Sequence, residues 1–152
     1  MTKKLHRFVL LITGLFILFT TSCKKAIVEP VQENLLEQYF EQNILNSDFI
    51  VTLATDNGTD LTTSYTGYKF RLLKNTLYDG PMTGIKGGVT YNGTWSSNSD
   101  YSQLVISLTS PSVPSEFVFL NRSWRFTRKA IPVMELAPWG TTDPKILHME
   151  RQ

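Results

Sequence analysis

Chemistry in this chain has to come from a short list of side chains. Its 152 residues hold one cysteine, Cys23, and two histidines, His6 and His148. The common zinc sites take three or four nitrogen and sulfur ligands, more than a lone thiol and His148 supply. A nucleophilic triad would need a serine and a carboxylate beside His148, and no nucleophile-elbow spacing accompanies the many serines. Alternation in the last apolar run sets His148 on the face of Ile146 and Glu150, opposite Leu147, Met149 and Arg151; a histidine on a sheet surface is the expected outcome. Asp56-Asn57-Gly58-Thr59-Asp60 offers two carboxylates and an amide to a calcium ion. An EF-hand loop, however, needs a longer ligand series ending in Glu, whereas Asn-Gly suits a tight hairpin because it tolerates positive φ. The hairpin is the expectation. Arg122, Arg125, Arg128 and Lys129 form the densest basic stretch. Strand alternation divides it between two faces, so a solvated wall is expected and not the clustered cationic surface of a nucleic-acid binder. No enzyme, metal or cofactor is expected from these residues.

What remains is Cys23 and its setting. Lys3, Lys4 and Arg7 precede an uncharged run from Phe8 to Phe19. Twelve residues are too few for a bilayer core, which takes about 20 helical residues. A cationic start, a short apolar stretch and small residues at its end describe a secretory signal. Thr20, Thr21 and Ser22 are those small residues, and Cys23 comes directly after them. The stretch resembles the lipobox of bacterial lipoprotein signals. That resemblance implies cleavage before Cys23, diacylglycerol on its thiol and acylation of its new amine. Attachment by several acyl chains is stable where a single chain binds only marginally. Lipidation would also remove the liability of an unpaired thiol in an oxidising compartment. "CKK" resembles the start of Bacteroidota lipoproteins, and the absence of Asp after the cysteine resembles an outer-membrane address. The expected location is the outer membrane, facing the periplasm.

On that reading the chain divides into a signal over residues 1–22, a lipidated tether over 23–32 and one domain over 33–152. Removing residues 1–22 takes away three basic residues and no acidic one. The balance moves from 15 Lys and Arg against 13 Asp and Glu to 12 against 13, and the net charge from +2 to −1. The basic character of the precursor therefore belongs to its leader. The remaining 130 residues suit a single domain, held by its apolar core since no second cysteine exists for a disulfide. Residues 33–46 predict one amphipathic helix, with Leu36, Phe40 and Ile44 at i, i+4 and i+8.

After Asp48 the period becomes two. Phe49, Val51 and Leu53 are expected on one face; so are Phe70 and Leu72, then Val89, Tyr91 and Trp95, then Leu104, Ile106 and Leu108. "EFVFLN", "SWRFTRK", "PVMELA" and "KILHMERQ" read as further strands. Turn signals separate them, among them Asp79-Gly80-Pro81, Gly87-Gly88 and Ser110-Pro111-Ser112. The spacing leaves no room for crossover helices, so the fold class is mainly β: an antiparallel up-and-down barrel or sandwich of about eight strands with one N-terminal amphipathic helix.

The quoted runs, with "GTWSSNSDYSQLVISL" leading into "FVFLNRSWRFTRK", resemble the lipocalin-like lipoprotein domains of Bacteroidota over roughly residues 48–152. The resemblance implies a small up-and-down barrel without catalytic residues. Tyr91, Trp95, Trp124 and Phe126 are then the candidates to line a ligand cavity, although the same aromatics could fill a solid core. The short chain and brief strands favour the filled core. The functional expectation is a membrane-anchored monomer whose β-domain binds a small apolar ligand or an envelope protein. The alternative is a structural or accessory lipoprotein with no small ligand. No nucleic acid is expected as a partner.

Overall fold

The computed structural model describes residues 28–128 and 130–152. The signal, Cys23 and Lys129 lie outside the described residues. The chain divides into two units, Met1–Leu35 and Leu36–Gln152. In the first, only the residues that begin helix α1 (Val28–Asn43) are described; the second holds every strand among the described residues. The helix starts inside the stretch expected as a tether. Pro30 does not prevent this, because a first-turn proline lacks only an N–H that has no intrahelical partner.

Eight antiparallel strands close into a barrel: β1 (Asp48–Asp56), β3 (Lys69–Leu72), β4 (Asp79–Lys86), β5 (Val89–Ser97), β6 (Gln103–Ser110), β7 (Ser123–Arg128), β8 (Val133–Pro138) and β9 (Lys145–Arg151), with β9 returning to pair with β1. A ninth, two-residue strand, β2 (Thr59–Asp60), pairs with the end of β1. Closure matters because each strand then has neighbours on both sides and no long edge remains to recruit another chain. The β1–β3 seam is short, with only Asp48↔Arg71 and Phe49↔Phe70 in register. Beyond it a 3-10 turn (Thr62–Tyr65) covers β1, where Thr62 Oγ1 accepts from the Ala54 N–H.

Period-two residues fill the interior. Phe49, Phe70, Leu72, Met82, Leu104, Ile106, Leu108, Met134, Leu136, Leu147 and Met149 are all buried, as alternation requires for strands with one face on the core. In β1 the expected row slips. An irregularity between Val51 and Leu53 in the pairing with β9 adds one residue, so Ala54 is buried and Leu53 only half-buried. A bulge moves every later side chain to the other face, and simple alternation does not show it.

Two more expectations are corrected. Asp79-Gly80-Pro81 is not a turn but the start of β4. Gly80 permits this: a Cβ there would collide with the Leu73 carbonyl oxygen, and glycine lets the chain after β3 pass close by. The Leu73 N–H donates to the Pro81 carbonyl at 2.8 Å. "EFVFLN" is not a strand either. Ser115–Leu120 forms a short helix, α2. Pro111 and Pro114 remove the backbone donors that a strand would need there, so the β6 ladder stops at Ser110. Phe117 and Leu120, three apart, then face the core while Val118 is 69% exposed. Asn121 completes the vacated ladder position. Its amide donates to the Leu108 carbonyl and accepts from the Leu108 N–H, both at 2.8 Å. The strand count survives because one run is lost and another gained.

Each barrel mouth is occupied. At the mouth where β1 begins, the C-terminal half of α1 inserts Phe40, Ile44 and Leu45, with Leu36 half-buried behind them. This is the stripe its spacing predicts. The helix ends where Asn46 adopts φ 58° and donates its N–H to the Leu72 carbonyl. At the opposite mouth α2 and the 3-10 turn meet, and the Tyr65 hydroxyl donates to the Glu116 carbonyl at 2.6 Å.

Candidate functional site

The four aromatic candidates do not converge on one void. Tyr91, on β5 near the α2 mouth, packs edge-on against Phe117 at 5.1 Å, and Trp124 on β7 packs against Phe119 at 5.4 Å. Trp95 and Phe126 lie towards the other mouth, against Phe40 of α1 at 5.6 Å and 6.4 Å. Strand geometry explains the division: Tyr91 and Trp95 share the inner face of β5, but four residues at about 3.3 Å each separate them along the barrel. Both indoles are spent on structure. Trp95, 1% exposed, donates Nε1–H to the Leu73 carbonyl at 2.8 Å; Trp124, fully buried, donates to the Leu120 carbonyl at 2.9 Å. Tyr91 and Phe126 are half-buried on the margin of the core.

The packing around these residues is aromatic at both ends. Phe40 stacks on Tyr101 at 4.4 Å, and Tyr101 lies 5.3 Å from Tyr78. Tyr101 holds φ 52°, uncommon for a bulky residue, and its buried hydroxyl has no hydrogen-bond partner among the described residues. Burial pushes that phenol above its ordinary range, with Tyr78 and Glu37 adding to the effect. The Tyr78 hydroxyl donates to Glu37 of α1, and Lys74 pairs with Glu41 on the next turn. At the α2 mouth, Tyr68 stacks on Phe70 at 5.5 Å and donates to Glu116 Oε1 at 2.8 Å. Burial raises the Tyr65 and Tyr68 phenols. Burial also works to raise Glu116, but bonds from its own N–H, Tyr68 and Ser115 prevail and hold it below the usual carboxylate range. Lys86 lies over the Tyr68 ring at 4.5 Å.

The remaining sequence candidates resolve as structure. Asn57 and Gly58 take φ 50° and 79°, the pair of positive values a tight hairpin demands, and join β1 to β2. Asp56 accepts from Asn57 Nδ2 and pairs with Lys145; Asp60 accepts from the Thr62 N–H at 2.8 Å. Both carboxylates are held below their ordinary range, Asp56 first by the Lys145 bond and Asp60 by the Thr62 bonds. Asn92-Gly93 runs straight through β5, and the irregularity lies opposite it on β6, where Thr109 is the extra residue between the pairs Asn92–Ser110 and Gly93–Leu108. A Cβ at Gly93 would collide with the Ser107 carbonyl oxygen, so glycine is what lets β5 and β6 close up. His148 is half-buried on β9, paired with Leu53 and Glu135. Among the described residues no group of three or more His, Cys, Asp or Glu is placed to hold a metal ion. The basic stretch is dispersed: Arg122 donates to the Phe119 and Val118 carbonyls at the end of α2, Arg128 pairs with Glu135, and Arg125 is exposed.

Sequence reasoning misses a feature on the outside. Between the β3–β4 connection and β5 lies an open cavity of about 540 Å³, lined by Lys74, Asn75, Asp79, Pro81, Thr94 and Ser96. Reading Asp79-Gly80-Pro81 as a turn conceals it, since the cavity exists only because those residues run along β5. Exposed apolar side chains are also unevenly placed. Ile85, Val89, Val113, Val118, Trp139 and Ile146 all lie on strand ends or connections at the α2 mouth. Among the described residues no helix is long and apolar enough to cross a membrane.

Fold and site together define a small, closed, eight-stranded antiparallel barrel with a helix at each mouth. A crystal structure of a DUF4847 family protein from Bacteroides vulgatus ATCC 8482 is similar, with a TM-score of 0.53 and 18% identity over 72% of this chain and 95% of that one. At that identity the likeness concerns the fold. No protein-family model matches the sequence, and no curated protein matches it.

Proposed function

We propose that this chain is an outer-membrane lipoprotein, anchored through acylated Cys23 and facing the periplasm, whose barrel is a non-catalytic, monomeric module that contacts an envelope protein through its outer surface. The observation that carries the reading is the use of the interior. Trp95 and Trp124 are buried and hydrogen-bonded to backbone carbonyls, while Phe40 packs on Trp95 and Phe119 on Trp124. Lipocalin-like pockets need that space for a ligand. The apolar side chains gathered at the α2 mouth support partner contact, since exposed apolar groups in one region mark interaction surfaces more often than scattered ones do. The accessory reading without a small ligand shares the filled interior and differs only in lacking a dedicated partner.

The anchor is tested by feeding cells a clickable palmitate. The protein should label and partition with membranes, and Cys23→Ala should do neither; an unlabelled wild-type protein refutes the location. The surface reading is tested by placing a photo-crosslinking residue at Val118 or Trp139 in cells. One discrete protein adduct is expected, absent when the crosslinker stands at Gln42, exposed on α1 at the opposite mouth. A lipid-sized adduct surviving native mass spectrometry of the purified protein would instead favour an enclosed ligand.

A further inference from the structure

The outer wall of β4, β5 and β6 has an unusual lining. The outward row of β5 is Thr90, Asn92, Thr94 and Ser96, without one charge. Thr83 lies beside Asn92 on β4, and Ser107 beside Thr94 on β6. This row runs into the 540 Å³ cavity, a volume within the range of about 300–1,000 Å³ typical of small-molecule sites. From the cavity and this row we infer a binding site for a neutral, hydroxyl-rich ligand of the saccharide class.

The argument is one of matching chemistry. A saccharide presents hydroxyls that both donate and accept, together with patches of C–H. Thr94 and Ser96 supply hydroxyls of the same dual kind, Asp79 a pure acceptor, and Asn75 both a donor and an acceptor. The wall is preformed: Asp79 Oδ1 accepts from Asn75 Nδ2 at 3.1 Å and from Thr76 Oγ1 at 2.9 Å, which fixes carboxylate and amide side by side. The exposed Pro81 ring completes the lining with apolar surface. An anionic ligand fits poorly, because Lys74 is already paired with Glu41 and the Asp79 carboxylate lines the same cavity. An apolar lipid would leave the hydroxyl row desolvated and unpaired, which is costly. Gly80 and the Trp95 bond to Leu73 hold the rim in place, so the site is built on β4 and β5 themselves. This site is separate from the α2 mouth and does not depend on the anchor.

The test uses the full-length protein in a zwitterionic detergent without a sugar headgroup. Cellobiose, maltose and N,N′-diacetylchitobiose are the neutral probes, with glucuronic acid and glucosamine as charged counterparts. Saturation-transfer NMR and calorimetric titration are the readouts. Saturable binding of at least one neutral disaccharide is expected. Thr94→Val combined with Ser96→Ala, both on the outer wall, should weaken it about tenfold, as expected for two lost hydrogen bonds. Thr109→Val, exposed on β6 outside the cavity lining, should leave it unchanged. A near-UV circular dichroism spectrum matching the wild type certifies that the double variant is folded. The inference is overturned if no neutral probe saturates, if only the charged sugars bind, or if the double variant binds as tightly as the wild type.

Discussion

Phe40→Ala tests whether helix α1 is part of the domain core or a segment lying on it. Phe40 is 3% exposed and meets three rings: Tyr101 stacked at 4.4 Å, Trp95 at 5.6 Å and Phe126 edge-on at 6.4 Å. Truncating a buried Phe to Ala costs about 3–5 kcal/mol through lost transfer energy and the cavity left behind. The aromatic contacts place this site towards the upper end, since each is worth about 0.5–1.5 kcal/mol beyond its area. Against a total stability of about 5–15 kcal/mol the loss is large. With a urea dependence of about 2 kcal/mol per molar, the unfolding midpoint should fall by about 2 M. Equilibrium urea unfolding followed by tryptophan emission reads this directly, because Trp95 is one of the rings uncovered. Amide exchange supplies the second readout. The Ile44 and Leu45 N–H groups, which bond the Phe40 carbonyl at 2.9 Å and 3.2 Å, should lose protection together with strands β5 and β6. A midpoint shift worth less than about 1 kcal/mol, or exchange confined to the helix with the strands untouched, would refute the claim that the helix fills the mouth.

The same contacts set other expectations. Gly93→Ala should destabilise by about 2 kcal/mol or more, because the clash is with the Ser107 carbonyl and Leu108 Cα, backbone atoms that cannot swing away; thermal unfolding measures it. Trp95→Phe should cost about 1–3 kcal/mol, since it strands the Leu73 carbonyl as well as removing ring area, and the same unfolding curve reports it. Acid should weaken the fold. Asp48, held low first by its bond from Arg71, and Asp56, Asp60 and Glu116 all have native values below their unfolded ones, so their contribution is complete above the ordinary carboxylate range near 4 and is lost as pH falls through the lower native values. The melting temperature should therefore decline below about pH 4, and less so in Asp48→Asn. At the alkaline end the sign reverses: Tyr65, Tyr68 and Tyr101 are raised in the native state, so stability is intact below about pH 10 and declines above it, which absorbance of tyrosinate during unfolding can track.

Local patterns in the sequence were enough for much of this protein. The i, i+4, i+8 stripe of Leu36, Phe40 and Ile44 specifies an amphipathic helix, because 3.6 residues per turn bring those positions to one side. Period two in Phe70 and Leu72, and in Leu104, Ile106 and Leu108, specifies strands buried on one face. Asn57-Gly58 specifies its hairpin because few other pairs tolerate two positive φ values. The residues around Cys23 carry the expectation of an anchor in their order alone.

Tertiary structure decided the rest. Whether Asp79-Gly80-Pro81 turns or runs straight depends on what passes beside it, and the passing Leu73 carbonyl belongs to a different segment. "EFVFLN" alternates well enough for a strand, yet the closed barrel already had its eight strands and an open mouth to cover, so a helix placed Phe117 and Leu120 where they were needed. Periodicity assigned Tyr91, Trp95, Trp124 and Phe126 to the inner wall. Only the arrival of α1 and α2 from distant parts of the chain set Phe40, Phe117 and Phe119 against them at two separate mouths. A pattern of neighbours fixes which face a side chain takes; what fills the space in front of that face is set by residues far away in sequence, and no local rule contains them.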